Sequence, residues 1–136
     1  MRVAINSDRI PRPVGPFSPA VRARDTIYLS GQVAQDPATG RLIDGGAAAQ
    51  TARILDNVLA ILESAGRTLD HVVRVSIYLT SMNDFAAVND VYVTYFNAPF
   101  PARTTVSVVA LPLGAAVEIK VVAGAAESQD VTATGS

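Results

Sequence analysis

An arginine on a stiff segment is the residue of this chain best suited to bind an anion. Arg103 follows Pro99 and Pro101 and stands directly before a β-branched run that begins at Thr104. Each proline fixes its own φ and biases the preceding residue away from helix, so the segment is predicted to be rigid and extended. A guanidinium is a planar, permanently charged fork that matches a carboxylate or phosphate. The simpler interpretation is a surface arginine beside an acid, but the rigid segment favours anion binding.

A glutamate in an apolar strand is the second candidate for chemistry. Glu118 alternates with Val117 and Ile119, and Lys120 lies two residues further along the same predicted face. An ion pair between Glu118 and Lys120 is the plain alternative. If a neighbouring subunit covers this face, desolvation would raise the pKa of Glu118, which is the direction useful for general acid/base catalysis near neutral pH.

Four further residues are weaker candidates, and each also has a structural interpretation. Asn89 lies one helical turn after Phe85, where an amide most often hydrogen-bonds within the protein. Ser30 and Gly31 end a strand, and a glycine there lets the backbone approach a ligand closely. Phe17, in a segment rich in glycine and proline, would ordinarily be a core or lid aromatic. None of them is persuasive alone.

Composition limits the classes of function. The 136 residues predict one domain, residues 1–126, followed by a polar flexible tail, residues 127–136. The formal charge of −1 and the scattered arginines disfavour nucleic acid and anionic membranes as partners. Without cysteine and with one histidine, the chain has no thiol nucleophile and no histidine metal cluster, so no metal is expected.

Hydropathy adds two expectations. No apolar stretch reaches the length of about 18 residues that spans a membrane, and the start lacks a continuous apolar signal region, so the protein is expected to be cytoplasmic. Hydrophobic residues make up 49% of the chain and charged residues 17%, a surplus that hints at surface hidden in an oligomer.

The elements that must position these residues follow from periodicity. We predict a hairpin near the N-terminus, and then strands and helices in the order strand, helix, strand, helix, strand, strand: Thr26–Ser30, Gly46–Ala65, Val72–Leu79, a helix opening at Ser81, Thr104–Val109 and Ala116–Ala123. Two amphipathic helices on one face of a mixed sheet make an α+β fold. The other sheet face must then meet solvent or other subunits.

Local patterns give finer expectations. Asp44 is the expected N-cap of the first helix, and Gly66 is expected just past its end. The apolar stripe of this helix is predicted at Ala48, Ala52, Leu55, Leu59, Leu62 and Ala65. One face of the middle strand is predicted to hold Val73, Val75, Ile77 and Leu79. The buried face of the second helix is predicted to hold Phe85, Val88, Tyr92 and Phe96.

Taken together, six segments resemble the RidA/YjgF family of reactive-intermediate deaminases, also called endoribonuclease L-PSP-like proteins. The segments match in order and spacing up to about Gly124, and they are Gly15–Ser18, Ser30–Val33, Leu55–Val58, Asn83–Asn89, Phe100–Arg103 and Val117–Ile119. The resemblance implies a chorismate-mutase-like α+β protomer in a homotrimer, with ligand clefts between subunits and no metal or organic cofactor. It also implies hydrolysis of 2-imino and enamine acids, such as 2-iminopropanoate and 2-aminoacrylate, to 2-oxo acids and ammonia.

The resemblance further implies a role for each candidate. Arg103 would bind the substrate carboxylate, and Glu118 would orient and activate water. The backbone at Gly31 and Thr105 would hold the polar end of the ligand, while the cleft would be lined by Phe17, Ser30 and Asn89. Many members have tyrosine in place of Phe17 and cysteine in place of Thr105; neither change removes the arginine or the glutamate.

Three other functions remain open from the sequence. The cleft could hold a 2-oxo acid as a non-catalytic sensor, which needs Arg103 but not Glu118. The chain could be a pathway-specific deaminase, acting for example on 2-aminomuconate or aminoacrylate. Nuclease activity, attributed to some relatives, is disfavoured by the scattered charge, the single histidine and the single lysine.

Overall fold

Six strands form one mixed sheet in the computed structural model, which describes residues 1–126. In chain order the strands are β1 Arg2–Ile5, β2 Ala20–Ala23, β3 Thr26–Leu29, β4 Val72–Leu79, β5 Ala102–Ser107 and β6 Val117–Ala123. Their order across the sheet is β1-β2-β3-β6-β4-β5, which leaves β5 at an edge. Only β4 and β5 are parallel. The predicted tail, residues 127–136, lies outside the described residues.

Both helices pack on the same face of this sheet. Helix α1 (Ala47–Ser64) contacts β6 and helix α2 (Phe85–Tyr95) packs beside α1. Alternate residues of β6, among them Val117 and Ile119, are fully buried beneath the helices. The predicted α+β fold with two helices on one face is therefore confirmed. Among residues 1–126 no other layer covers the opposite face, where Tyr28 and Val106 remain 47% and 40% exposed.

The predicted ends of α1 are half right. Gly66 lies just past the helix with a φ of +74°, and the next N–H, of Arg67, donates to the carbonyl oxygen of Leu62 at 2.9 Å, as in a Schellman motif. The prediction for Asp44 is wrong, because the N-cap is Gly46 and no side chain caps the helix. Gly45, with a φ of +120°, turns the chain between Asp44 and the helix.

Two predicted faces need correction at their first residue, whereas Leu55 and Leu62 in α1 and Val75, Ile77 and Leu79 in β4 are buried as predicted. The stripe of α1 begins at buried Ala47 rather than at Ala48, which is exposed. Val73 does not share the face of Val75: an irregularity in the pairing of β4 with β6 falls at Val73, whose side chain is 55% exposed. An extra residue in one strand reverses the alternation on either side of it.

The boundaries of two other elements also differ from prediction. Helix α2 starts at Phe85 after a single 3₁₀ turn, and Phe85 itself is 36% exposed rather than buried. Strand β5 begins at Ala102, before the predicted Thr104, and ends before Val109, because its parallel pairing with β4 covers Ala102–Ser107 alone. The strand is as long as predicted but begins two residues earlier, and it therefore includes Arg103.

The N-terminal hairpin is confirmed as β2 and β3, which pair antiparallel. Its connection is the pair Arg24 and Asp25, with a φ of +56° at Arg24.

Within residues 1–126, neither helix combines the length and hydropathy needed to cross a bilayer.

Candidate active site

The guanidinium of Arg103 is held by three side chains of α2. Its Nη2 donates to Oδ1 of Asn89 at 2.7 Å. Its central carbon lies 4.8 Å from the ring centroid of Tyr92 and 5.6 Å from that of Phe85. A cation over two aromatic faces is attracted by their quadrupoles, and the amide fixes its rotation. The side chain is therefore anchored before any ligand arrives.

Sequence spacing explains why these groups meet. Phe85, Asn89 and Tyr92 are separated by four and three residues, so they share one face of α2. Arg103 pairs with Val75 in the parallel ladder of β4 and β5, and so it faces the helices. The edge position of β5 leaves the far side of the guanidinium open to a ligand.

A cavity of about 250 Å³ opens beside the guanidinium, and we call it the Arg103 cavity; it is lined by Asn89, Tyr92, Val93, Phe100, Pro101 and Arg103. Two buried hydroxyl oxygens nearby, on Tyr92 and Thr105, have no hydrogen-bond partner within the described chain. Burial raises the pKa of the Tyr92 hydroxyl, against the opposing effect of Arg103, so the phenol stays protonated and able to donate. Buried unpaired hydroxyls are costly, and a polar ligand would relieve that cost.

Glu118 lies on the open face of the sheet. Desolvation by burial raises the pKa of its half-buried carboxyl, and the charge of Lys120 acts in the opposite direction. The alternative of an ion pair between these two side chains is not what the structure has, since the one salt bridge found in residues 1–126 joins Arg9 and Glu63. Lys120 instead places its Nζ 5.9 Å from the ring centroid of Tyr78.

Gly31 packs directly against the Glu118 carboxyl. A Cβ at position 31 would lie 2.8 Å from the carboxyl carbon of Glu118, closer than real Cβ contacts allow. The loop is held there by two backbone hydrogen bonds between Gln32 and Ile119, at 2.8 and 3.0 Å. The absence of a side chain at residue 31 is therefore what leaves room for the Glu118 carboxyl in this position.

The cavity around the carboxylate has a volume of about 300 Å³, and we call it the Glu118 cavity; it is lined by Ile10, Pro11, Arg12, Pro13, Val14, Phe17, Pro19, Gly31, Gln32, Val33, Gln35, Pro112, Leu113 and Glu118. Phe17 is 54% exposed at its wall. Ser30 donates from Oγ to the carbonyl oxygen of Ser18 at 2.7 Å. That bond fastens the loop carrying Phe17 to the end of β3.

One chain does not bring the two charged candidates together. Arg103 is paired with Val75 on the helix-covered face, whereas Glu118 is paired with Tyr78 on the open face. Phe17 and Gly31 accompany Glu118, with Ser30 adjacent. Asn89 and Thr105 accompany Arg103. The seven predicted residues thus form two separate groups, and each group lies at a different cavity.

The chain matches a known family over most of its length. The model of the family described as Endoribonuclease L-PSP matches residues 7–125. The chain belongs to this family, which is the RidA/YjgF family.

Relatives within the RidA/YjgF family carry different names. The 2-iminobutanoate/2-iminopropanoate deaminase of Bos taurus is 44% identical over 123 residues, 90% of each chain. Protein DfrA of Myxococcus xanthus is 47% identical over 124 residues, 90% of this chain and 95% of that protein. The crystal structure of RidA from an Antarctic Psychrobacter species superposes with a TM-score of 0.87 at 41% identity, covering 90% of this chain and 98% of that one.

Sequence reasoning missed three residues that contribute to these two groups of side chains. Phe85 and Tyr92 were assigned to the helix core, although both also contact the guanidinium; their spacing around Asn89 was the available signal. Arg12 received no role at all, although it lines the Glu118 cavity. Its position between Pro11 and Pro13 resembles the proline-stiffened segment of Arg103.

Proposed function

We propose that this protein hydrolyses reactive 2-imino and enamine acids, such as 2-iminopropanoate, 2-iminobutanoate and 2-aminoacrylate, to 2-oxo acids and ammonia. Family membership and the deaminase named among its relatives support this activity. The working unit of the proposal is a homotrimer in which each site lies between two subunits.

The division of the candidates into two groups is the observation that carries the proposal. One group supplies a fixed cation with unpaired hydroxyls nearby, and the other supplies a carboxylate of raised pKa beside an apolar wall. Hydrolysis of an imino acid needs both a cation that binds the carboxylate and a group that transfers protons, so neither group of residues suffices alone. A neighbour placed between the β5 edge and the uncovered sheet face would make one site from both groups, and would hide Tyr28 and Val106.

Substrate binding is assigned to Arg103. Its fork donates two parallel hydrogen bonds to the carboxylate, and a charge-assisted hydrogen bond contributes about 1.5–3 kcal/mol. Because Asn89 and the rings of Phe85 and Tyr92 already hold the guanidinium, little rotamer entropy is lost on binding. The imine carbon is thereby fixed for attack.

Glu118 is assigned the proton transfers. As carboxylate it accepts a proton from water while the water oxygen bonds to the imine carbon, and it returns that proton to nitrogen, which gives a carbinolamine. The remaining hydroxyl proton passes to nitrogen, the C–N bond breaks, and ammonia leaves as the carbonyl forms. One imine and one water thus give one 2-oxo acid and one ammonia. Assistance of this kind contributes about 10²–10⁴-fold.

The other residues shape the cleft. Phe17 forms an aromatic wall, Ser30 fastens the loop that carries it, and Gly31 and Thr105 offer main-chain groups to the ligand. An enamine substrate reaches the same site after tautomerisation to the imine.

The decisive test is removal of the arginine fork. An amino-acid oxidase generates 2-iminopropanoate from alanine, and the remaining imine is measured by semicarbazide trapping. We expect Arg103→Lys to lower kcat/KM at least tenfold, since lysine keeps the charge but loses the fork. Arg41→Lys, on an exposed residue away from both cavities, is the matched control. Activity like that of the wild type in Arg103→Lys and Arg103→Ala would contradict the assignment.

A second variant separates catalysis from simple binding. Glu118→Gln should abolish turnover while retaining affinity for 2-oxobutanoate, measured by calorimetry. If the wild type binds 2-oxobutanoate but never accelerates imine loss, the sensor alternative replaces the enzyme.

A further inference from the structure

The Glu118 cavity is larger than a short imino acid requires. Its volume of about 300 Å³ equals that of roughly ten water molecules at about 30 Å³ each. 2-Iminopropanoate has six non-hydrogen atoms, and under the proposed function its carboxylate lies at Arg103, outside this cavity. Space therefore remains for a longer substrate side chain.

Arg12 is the only basic side chain among the described residues that line this cavity. Within residues 1–126 its guanidinium makes no hydrogen bond or ion pair, unlike Arg9, which pairs with Glu63, and Arg67, which donates to backbone carbonyls. The cation that acts on the Glu118 carboxyl is Lys120. Arg12 is thus available to an anion from outside the protein.

The segment carrying Arg12 is stiff and its surroundings are apolar. Pro11 and Pro13 flank it and restrict the backbone on both sides. Most other lining residues are apolar, among them Val14 and Leu113. An aliphatic chain would fit along such a wall, with a charged end at the guanidinium.

We propose that Arg12 is a specificity-determining residue, which selects 2-imino acids whose aliphatic side chain ends in a second carboxylate. The inference rests on the proposed function, and it names the substrate class of that same site. One carboxylate binds at Arg103, the reacting carbon lies near Glu118, and the distal carboxylate binds at Arg12.

Stable product analogues test this preference without turnover. Calorimetry at physiological ionic strength compares 2-oxoglutarate with 2-oxopentanoate, which has the same chain length but one carboxylate. We expect the wild type to bind the diacid about five- to tenfold more tightly, as suits a partly solvated charged contact. In Arg12→Gln the ratio should fall to about one, in Arg12→Lys it should be intermediate, and in Arg41→Gln it should stay as in the wild type.

Kinetics distinguish the two proposals. Imines generated from glutamate and from norvaline should show the same preference in kcat/KM, lost in Arg12→Gln. Equal affinities in the wild type, an unchanged ratio in Arg12→Gln, or failure to bind either oxo acid would overturn the inference. If 2-iminopropanoate is still hydrolysed in those cases, the proposed function stands. Thermal unfolding of each variant checks the fold. Because Arg12 is exposed, its substitution should leave the Tm unchanged.

Discussion

At the scale of single residues, two opposed influences set the charge of Glu118. Burial raises the pKa of its carboxyl, and Lys120 on the same strand face lowers it. If Glu118 acts as the base, catalysis requires the ionised form, so activity falls as pH drops through this raised pKa. The acid limb of the pH profile should therefore lie above the range of an ordinary glutamate.

Lys120→Met should move that limb to still higher pH. Removing the cation leaves burial unopposed, and we expect a displacement of roughly a few tenths of a pH unit for a partly screened charge. The measurement is kcat/KM for 2-iminopropanoate from pH 5 to 8 after subtraction of the uncatalysed rate. Lys120→Arg keeps the charge and should keep the profile. A limb that does not respond to Lys120→Met would show that another group controls it.

Arg103 shows how far the sequence leads for a single side chain. Its rigid approach could be read from two prolines, and its strand from the β-branched run. The spacing of Phe85, Asn89 and Tyr92 indicates that they share one face of α2, but the sequence could not show that this face meets Arg103, since that depends on how α2 packs against β5. Arg12 was missed for the same reason, because the other residues that line the Glu118 cavity come from distant parts of the chain.

At the scale of elements, the close contact between the loop after β3 and strand β6 sets the position of the carboxylate. Gly31 touches the Glu118 side chain, and the bonds between Gln32 and Ile119 hold the two segments together. Under the proposed function, the space at this contact therefore determines where the catalytic carboxylate lies.

Gly31→Ala should lower kcat/KM by about 10²-fold, because the added methyl must displace the carboxylate and a misplacement near 1 Å costs about that much. Gly46→Ala is the matched control, since a Cβ there meets no atom within 4 Å. Steady-state kinetics and thermal unfolding report on the two variants. Full activity and an unchanged Tm in the Gly31→Ala variant would mean that the contact has no bearing on the chemistry.

Element boundaries mark where local patterns stop being informative. The glycine after α1 was predictable because left-handed backbone favours it, and the order of strands and helices followed from periodicity. The exposure of Val73 was not predictable from the sequence, because an irregularity in strand pairing depends on the partner strand. Asp44 carries a good capping side chain, yet Gly45 redirects the chain so that Gly46 takes the position.

At the scale of the whole molecule, Arg103 and Glu118 lie on opposite faces of one sheet and at separate cavities, and the proposal joins them across subunits. Light scattering should then give three times the chain mass of 14.2 kDa. A monomer at micromolar concentration would contradict the assembly on which the site depends.

Mixing two inactive variants tests the sharing of sites directly. Arg103→Ala and Glu118→Gln, co-expressed in equal amounts with different tags, should recover about a quarter of wild-type activity in random trimers, because one site in four then combines both intact groups. Each variant alone, and the two purified and mixed without exchange, are the controls. No recovery in verified hetero-oligomers would place both groups within one subunit.

If the uncovered face of the sheet is the assembly surface, as proposed, then assembly controls catalysis. In that arrangement, a newly synthesised chain has no activity until it joins a trimer. Specific activity should therefore decline when the protein is diluted below the dissociation constant of the trimer. An imino or oxo acid that spans the junction would also act as a molecular glue, because any ligand favours the state that binds it. The fraction of chains assembled into trimers would then increase and decrease with the concentration of substrate.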